Sequence, residues 1–272
     1  MNIDQKRRLY VIGALLILLG ISTYQFGFKM LVIALVAVAT SVAIEMLAKK
    51  LRKEKQDFTS YFTLPLVVTL LTTPNVYNDG HVWMIAVTVA FGLFFAKALF
   101  GGQDKNVFNA EALGIIFMIL SFPAYVVNTK TGHATGDLFV FVALGLGVLL
   151  VLLKAISPYT IISYLATLIV MFGIFYLVDK NNPNPFTMLV SSNFVFVGIF
   201  MATEKSSGAK LPIGMLIYGF VLGLLTWLVY TESPNKEYAA VYTILLGNAL
   251  VPLIDVLVDK ISKKEEVYIW KN

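Results

Sequence analysis

Apolar residues run along the chain in ten blocks separated by short polar stretches: 9–25, 28–48, 61–73, 82–100, 107–126, 138–153, 160–178, 185–203, 211–230 and 238–258. Most approach the ~20 residues that a helix rising 1.5 Å per residue needs to cross a bilayer. The pattern predicts an all-α integral membrane protein of about ten transmembrane helices, with little chain outside the lipid. The third block, Tyr61 to Thr73, is short enough to be a re-entrant piece.

Composition agrees with the pattern. The 272 residues are 58% hydrophobic and only 14% charged, with a mean hydropathy of +0.80. A soluble core could not hide so much apolar surface. The net charge of +5 does not point to nucleic acid, because the basic residues fall in clusters between apolar runs.

Those clusters carry orientation. With ten crossings and the N-terminus in the cytoplasm, 17 basic residues lie inside and four, Lys29, Lys130, Lys180 and Lys236, lie outside. If the third block failed to cross, the basic tail would face out, against the positive-inside rule. Both termini are therefore expected in the cytoplasm. The first apolar block follows Lys6, Arg7 and Arg8 and lacks a small-residue cleavage site, so it reads as a spanning helix rather than a signal peptide.

Five crossings followed by five more place the second half upside down relative to the first. The expected organisation is an inverted repeat, 1–126 and 127–260, with a cytoplasmic tail at 261–272. The third block of each half is unusual: Thr63-Leu-Pro-Leu-Val-Val-Thr-Leu-Leu-Thr-Thr-Pro74 in one and Pro185-Phe-Thr-Met-Leu-Val-Ser-Ser-Asn193 in the other. Hydroxyls and interrupted helices at matching positions mark a ligand site between repeats, although Ser and Thr also simply bond neighbouring helices.

Residues able to carry chemistry are few. The absence of cysteine excludes disulfides and thiolate ligation, and two histidines are too few for a zinc or haem-rich site. The stretch Gly101-Gly-Gln-Asp-Lys-Asn-Val-Phe-Asn109 opens a helix whose amides could meet an anion or a polar ring edge. Glu111 and Asp255 are acids near helix ends, where a proton or ion role and plain interfacial solvation compete. Glu45 and Lys49 read as a helix-face pair. In the loop from Asn128 to Asp137, Thr135 or Asp137 is a cap for the next helix and His133 is solvated. The tail bearing Trp270 either lies on the membrane surface or frays. No nucleophile triad, Walker loop or dinucleotide fingerprint is present.

Two stretches carry a resemblance. Phe100-Gly-Gly-Gln-Asp-Lys-Asn-Val-Phe-Asn-Ala110 is one; Phe200-Met-Ala-Thr-Glu204, followed by Ile217-Tyr-Gly219 and Leu246-Gly-Asn-Ala-Leu-Val-Pro-Leu-Ile-Asp255, is the other. Together they resemble the RnfD/NqrB family, membrane subunits of the Rnf complex and of the sodium-translocating NADH:quinone oxidoreductase. The resemblance implies a urea-transporter-like fold of two inverted five-helix repeats. It also implies a place in a flavin-dependent electron-transfer complex of a bacterial cytoplasmic (inner) membrane, as an oxidoreductase subunit without stand-alone activity, with other membrane subunits as partners. Riboflavin held between helices would involve Gly101, Gly102, Asn106, Phe108, Asn109, Met201 and Thr203. Flavin mononucleotide (FMN) would be joined by a phosphoester to Thr135, if Thr131-Gly-His-Ala-Thr135 matches the family's Ser-Gly-Ala-Thr with His133 inserted. A second alignment deletes that motif. Ala110 and Glu111 stand where the family pattern has Pro-Ala.

Two other readings remain beside the redox subunit: a small-molecule or ion channel of the same fold, and a cofactor-free scaffold.

Overall fold

The computed structural model describes residues 3–54, 57–100, 102, 106–123, 135–233 and 236–261. Gly101, residues 128–134 with His133, and the tail beyond 261 with Trp270 lie outside the described residues. Among those described, every regular element is helical.

The first half contains α1 (Ile3–Phe26), α2 (Lys29–Arg52), α3 (Thr63–Leu71), α4 (Trp83–Gly92) and α5 (Ala110–Ser121). The second contains α6 (Asp137–Leu152), α7 (Pro158–Val178), α8 (Pro185–Ser191), α9 (Phe194–Phe200), α10 (Pro212–Glu232) and α11 (Ala239–Ile261). Among the described residues, five helices, α1, α2, α7, α10 and α11, are long and apolar enough to cross a membrane by length and composition. Shorter apolar helices occupy 58–71, 83–98, 110–121 and 137–152. The chain is thus a multi-pass membrane protein in its composition and helix lengths.

Local signals explain the boundaries. α1 ends at Gly27, whose φ of +85° suits glycine and whose amide donates to the Thr23 carbonyl. Asn109 caps α5 by accepting from the Ala112 amide at 2.7 Å, which starts this helix later than the apolar pattern suggests. α8 begins likewise, with Asn184 accepting from the Thr187 amide. α6 corrects an expectation: its N-cap position is taken by Gly136 at φ +92°, with Thr135 one residue before it and Asp137 already in the first turn.

Both unusual segments are broken helices. α3 follows a 3₁₀ turn at Phe58–Tyr61 and stops where Thr72 becomes extended ahead of Pro74; a single turn, Asn75–Asn78, follows. Its nine residues rise only ~14 Å. The segment 185–203 splits into α8 and α9 at Ser192, which is also extended. Several of their hydroxyls are used locally: Thr69, Thr72 and Thr203 donate to carbonyls four residues back. α4 continues as a π-helix over Leu93–Ala98, a register change often found beside functional sites.

Of the broken helices, α3 and α9 are the most enclosed. Leu64 to Leu71 and Phe194 to Phe200 are all buried, whereas long helices turn Leu35, Leu177, Val178 and Leu253 outward. Apolar residues on both faces of a helix are stable when the outer face meets lipid. α10 lies closest along α7, and α4 packs on α5. Small residues make this possible. A side chain at Gly219 would strike the Thr160 carbonyl, one at Gly223 the Thr167 side chain, and one at Gly114 the Thr88 carbonyl.

Candidate functional site: a charged cavity at the basic end

The N-terminal turns of α1, the C-terminal end of α2, the end of the π-helix, the start of α5 and the segment after α9 meet at one end of the molecule. Arg8 pairs with Asp57 at 2.6 Å, Lys205 with Asp4 at 2.8 Å, and Arg7 Nε donates to the Lys154 carbonyl at 3.0 Å. These contacts surround a cavity of about 120 Å³ lined by Asp4, Arg7, Arg8, Ser60, Thr63, Lys97, Glu111, Thr203 and Glu204, among others.

Glu204 is one hub of this region. Asn106 and Asn109 donate to it from the chain preceding α5, at 3.3 and 2.8 Å; Ser206 and Ser207 each donate at 2.8 Å. Asn248 of α11 holds the same assembly from behind. It accepts from the Asn109 amide at 2.8 Å and donates to the Ser207 carbonyl and to Tyr218 Oη. Three segments distant in sequence are thereby fixed around one carboxylate.

The second hub is Glu45, only 4% exposed and paired with Lys97 at 3.5 Å and Lys49 at 3.9 Å. Lys49 also donates to Ser60 at 2.6 Å and to the Asp57 carbonyl. Glu45–Lys49 is therefore not an isolated helix-face pair, because Lys97, 52 residues away, completes it. Burying such charges is tolerable only while they remain paired. Burial pushes the Asp57 carboxyl up, but bonds from Thr59 and the Arg8 charge outweigh it, leaving the group below the usual aspartate range.

The sequence-derived candidates divide. Asn106, Asn109, Met201 and Thr203 lie at this end; the Met201 carbonyl accepts from Asn109 Nδ2, and the Phe108 carbonyl from Asn106 Nδ2. Gly102, at φ +102°, packs against the Arg52 guanidinium, so its backbone faces a side chain of this chain. Thr135 is elsewhere. It precedes α6, whose 16 residues rise ~24 Å before reaching the cavity's edge at Ala155 and Ile156. Asp255 is half-buried and accepts from the Lys210 amide. Glu204, Lys97 and Asn248 were missing from the sequence-derived set, although Glu204 and Asn248 stand inside the motifs that carry the resemblance.

In the cavity, the side-chain amides of Asn106 and Asn109 are already spent on Glu204 and on the Phe108 and Met201 carbonyls, which leaves them no hydrogen to offer a flavin. The chain next to Thr135 is more open. A recess of about 270 Å³ there is lined by Gly136, Asp137, Phe186, Thr187, Val190 and Ser191. It offers an aromatic wall and the N-terminus of α6.

A family model described as the NQR2, RnfD, RnfE family matches residues 3–135 and 125–264. The chain belongs to this family. It is 27% identical to the D subunit of the ion-translocating oxidoreductase complex of Methanosarcina acetivorans, over 90% of this chain and 86% of that protein. It is 24% identical to the protein of the same name from Yersinia pestis, over 93% of each. It is 23% identical to the B subunit of the Na(+)-translocating NADH-quinone reductase of Azotobacter vinelandii, over 78% of this chain and 62% of that protein. Within this family member, the motifs that carry the resemblance converge on Glu204, with Tyr218 of Ile217-Tyr-Gly219 joined through its bond with Asn248.

Proposed function

We propose that the chain is the D-type membrane subunit of an ion-translocating oxidoreductase complex, and that the cavity at its basic end is its cytoplasmic mouth. The names of its relatives support the first part. The observation that carries the second is the charged cavity held between the two halves and bounded by Lys97, Glu111 and Glu204. Its lining includes Arg7, Arg8, Lys97 and Lys205, all among the basic residues expected inside by the orientation rule. In this reading the chain crosses ten times as two inverted repeats. Packing supports the repeat: α4 lies on α5 as α10 lies on α11, α2 lies on α4 as α7 lies on α10, and a broken helix takes the third place in each half.

Flavin enters this reading through the resemblance and is assigned outside the cavity. Thr135 is the covalent candidate. Phe186 and the α6 N-terminus, which line the recess, would hold a ring and a phosphate, and the flavin would supply one-electron transfer. The chain's own contribution is to bind, space and shield.

The test is purification of the tagged chain from its native membrane. The reading expects other redox subunits to co-purify and donor oxidation to build an ion gradient in vesicles. It also expects yellow colour that survives acid precipitation in the wild type and disappears in Thr135→Ala. Colour released by acid would remove Thr135 and leave a non-covalent flavin. A colourless chain that purifies alone and passes small solutes would replace this reading with a channel.

A further inference from the structure

We propose that Glu111 is a proton-exchanging carboxyl serving the cavity at the basic end. Glu111 sits in the first turn of α5, is only 4% exposed, and lines the cavity. Its Oε2 has no hydrogen-bond partner among the described residues. A buried carboxyl oxygen without a donor is costly, so it must meet water or carry a proton. The cavity supplies the water, having space for several molecules.

The neighbouring charges single out Glu111. From the π-helix, Lys97 faces it but is engaged by Glu45 of α2. From the segment after α9, Glu204 faces the cavity with both oxygens held by four donors. At the N-terminus of α1, Asp4 is paired with Lys205, Arg8 with Asp57, and Arg7 with the Lys154 carbonyl. Thr63, at the start of α3, also presents a buried hydroxyl without a partner among the described residues. Among the described residues, Glu111 and Thr63 thus bring free capacity to the cavity, a carboxylate and a hydroxyl suited to a short file of water.

The step is simple. A hydronium proton adds to Glu111 Oε2, the carboxylate becomes a neutral acid, and water remains. The reverse step returns the proton. Each cycle changes the cavity by one unit of charge beside Lys97 and Glu204. The use of this cycle in ion translocation rests on the function proposed above; the protonation itself does not, and its readout needs no electron transfer.

Infrared difference titration of the full-length chain, purified with its partners in lipid vesicles, tests it. The wild type should show a protonated-carboxyl C=O band that grows as pH falls and shifts in deuterated water. The band should vanish in Glu111→Gln and persist in Asp255→Asn, a half-buried acid outside the cavity. Glu111→Asp keeps the acid, so if Glu111→Gln fails to fold, a displaced band in Glu111→Asp supports the proposal equally. A band that survives unchanged in Glu111→Gln, or that is absent throughout the pH range in which the protein stays assembled, overturns the proposal. A wild-type preparation that shows the band, loses it in Glu111→Gln, and has no redox activity would count against the redox reading and leave the proton site standing.

Discussion

At the residue scale, the basic end depends on how each buried charge is matched. Removing the Glu45 carboxylate leaves Lys97 and Lys49 buried beside one another, and breaking a buried pair costs about 3–5 kcal/mol. Glu45→Gln should therefore lower thermal stability strongly. Glu45→Gln combined with Lys97→Met should recover a good part of the loss, and equal melting temperatures for the single and double variants would contradict this account. Glu204→Gln replaces a carboxylate by an amide that accepts at one oxygen and donates at its nitrogen, so it cannot keep four incoming donors. Hydrogen bonds to a charged group contribute ~1.5–3 kcal/mol each, and a loss of about 3 kcal/mol is expected in a detergent melting series. Asp57 predicts a pH effect with a definite sign. Its folded carboxyl lies below the ordinary value of 3.8, so its contribution is present above that pH and disappears as pH falls through the folded value. The stability gap between wild type and Asp57→Asn should accordingly be largest near neutrality and close in acid; a gap that widened below pH 3.8 would reverse the assignment.

At the element scale, close helix contacts rest on missing side chains. Gly223 meets Thr167 of α7 where a Cβ would lie 2.6 Å from the threonine Cβ, so Gly223→Val must push α10 and α7 apart. The expected outcome is a clear fall in melting temperature, whereas Gly145→Val, with nothing within 4 Å, should change little. Equal effects would show that the close approach is unimportant. Much of this scale was legible in the sequence. Apolar block length located the long helices, and proline with hydroxyl clustering marked both broken ones, because chain punctuation is a local property. Contacts across sequence were not legible. Nothing in the spacing of Glu45 and Lys49 announces Lys97, and Asn248 supports Asn109 only after α11 packs on α5. Asn106 and Asn109 were found through motif order, but their shared carboxylate partner emerges only from the fold. Glu111 read as an acid near a helix end, where water is close; the enclosing α1, α3 and post-α9 chain made it a cavity wall instead.

At the scale of the whole molecule, charge distribution and fold address the same question from independent directions. The pairs Arg8–Asp57, Lys97–Glu45 and Lys205–Asp4 lie at one end, while Lys29 bonds Asn78 and Thr135 precedes α6 at the far end. Ten crossings with the basic end in the cytoplasm therefore make a discrete prediction about accessibility. The chain contains no cysteine, so single cysteines can be introduced without a background. Cysteines replacing Lys53 and Lys210, both exposed at the basic end, should react with a membrane-impermeant maleimide only in inside-out vesicles. Cysteines replacing Lys29 and Lys180 should react in intact cells. The Lys180 position is the decisive one. It follows α7, so a failure of α3 or of the 83–98 helix to cross would flip it relative to Lys29 and expose it from the cytoplasm instead. Labelling of Lys29→Cys and Lys180→Cys from the same side requires an even number of crossings between them, as the ten-helix reading demands. Labelling from opposite sides would mean that one of the short apolar helices dips into the bilayer and returns, and the inverted repeat would have to be abandoned.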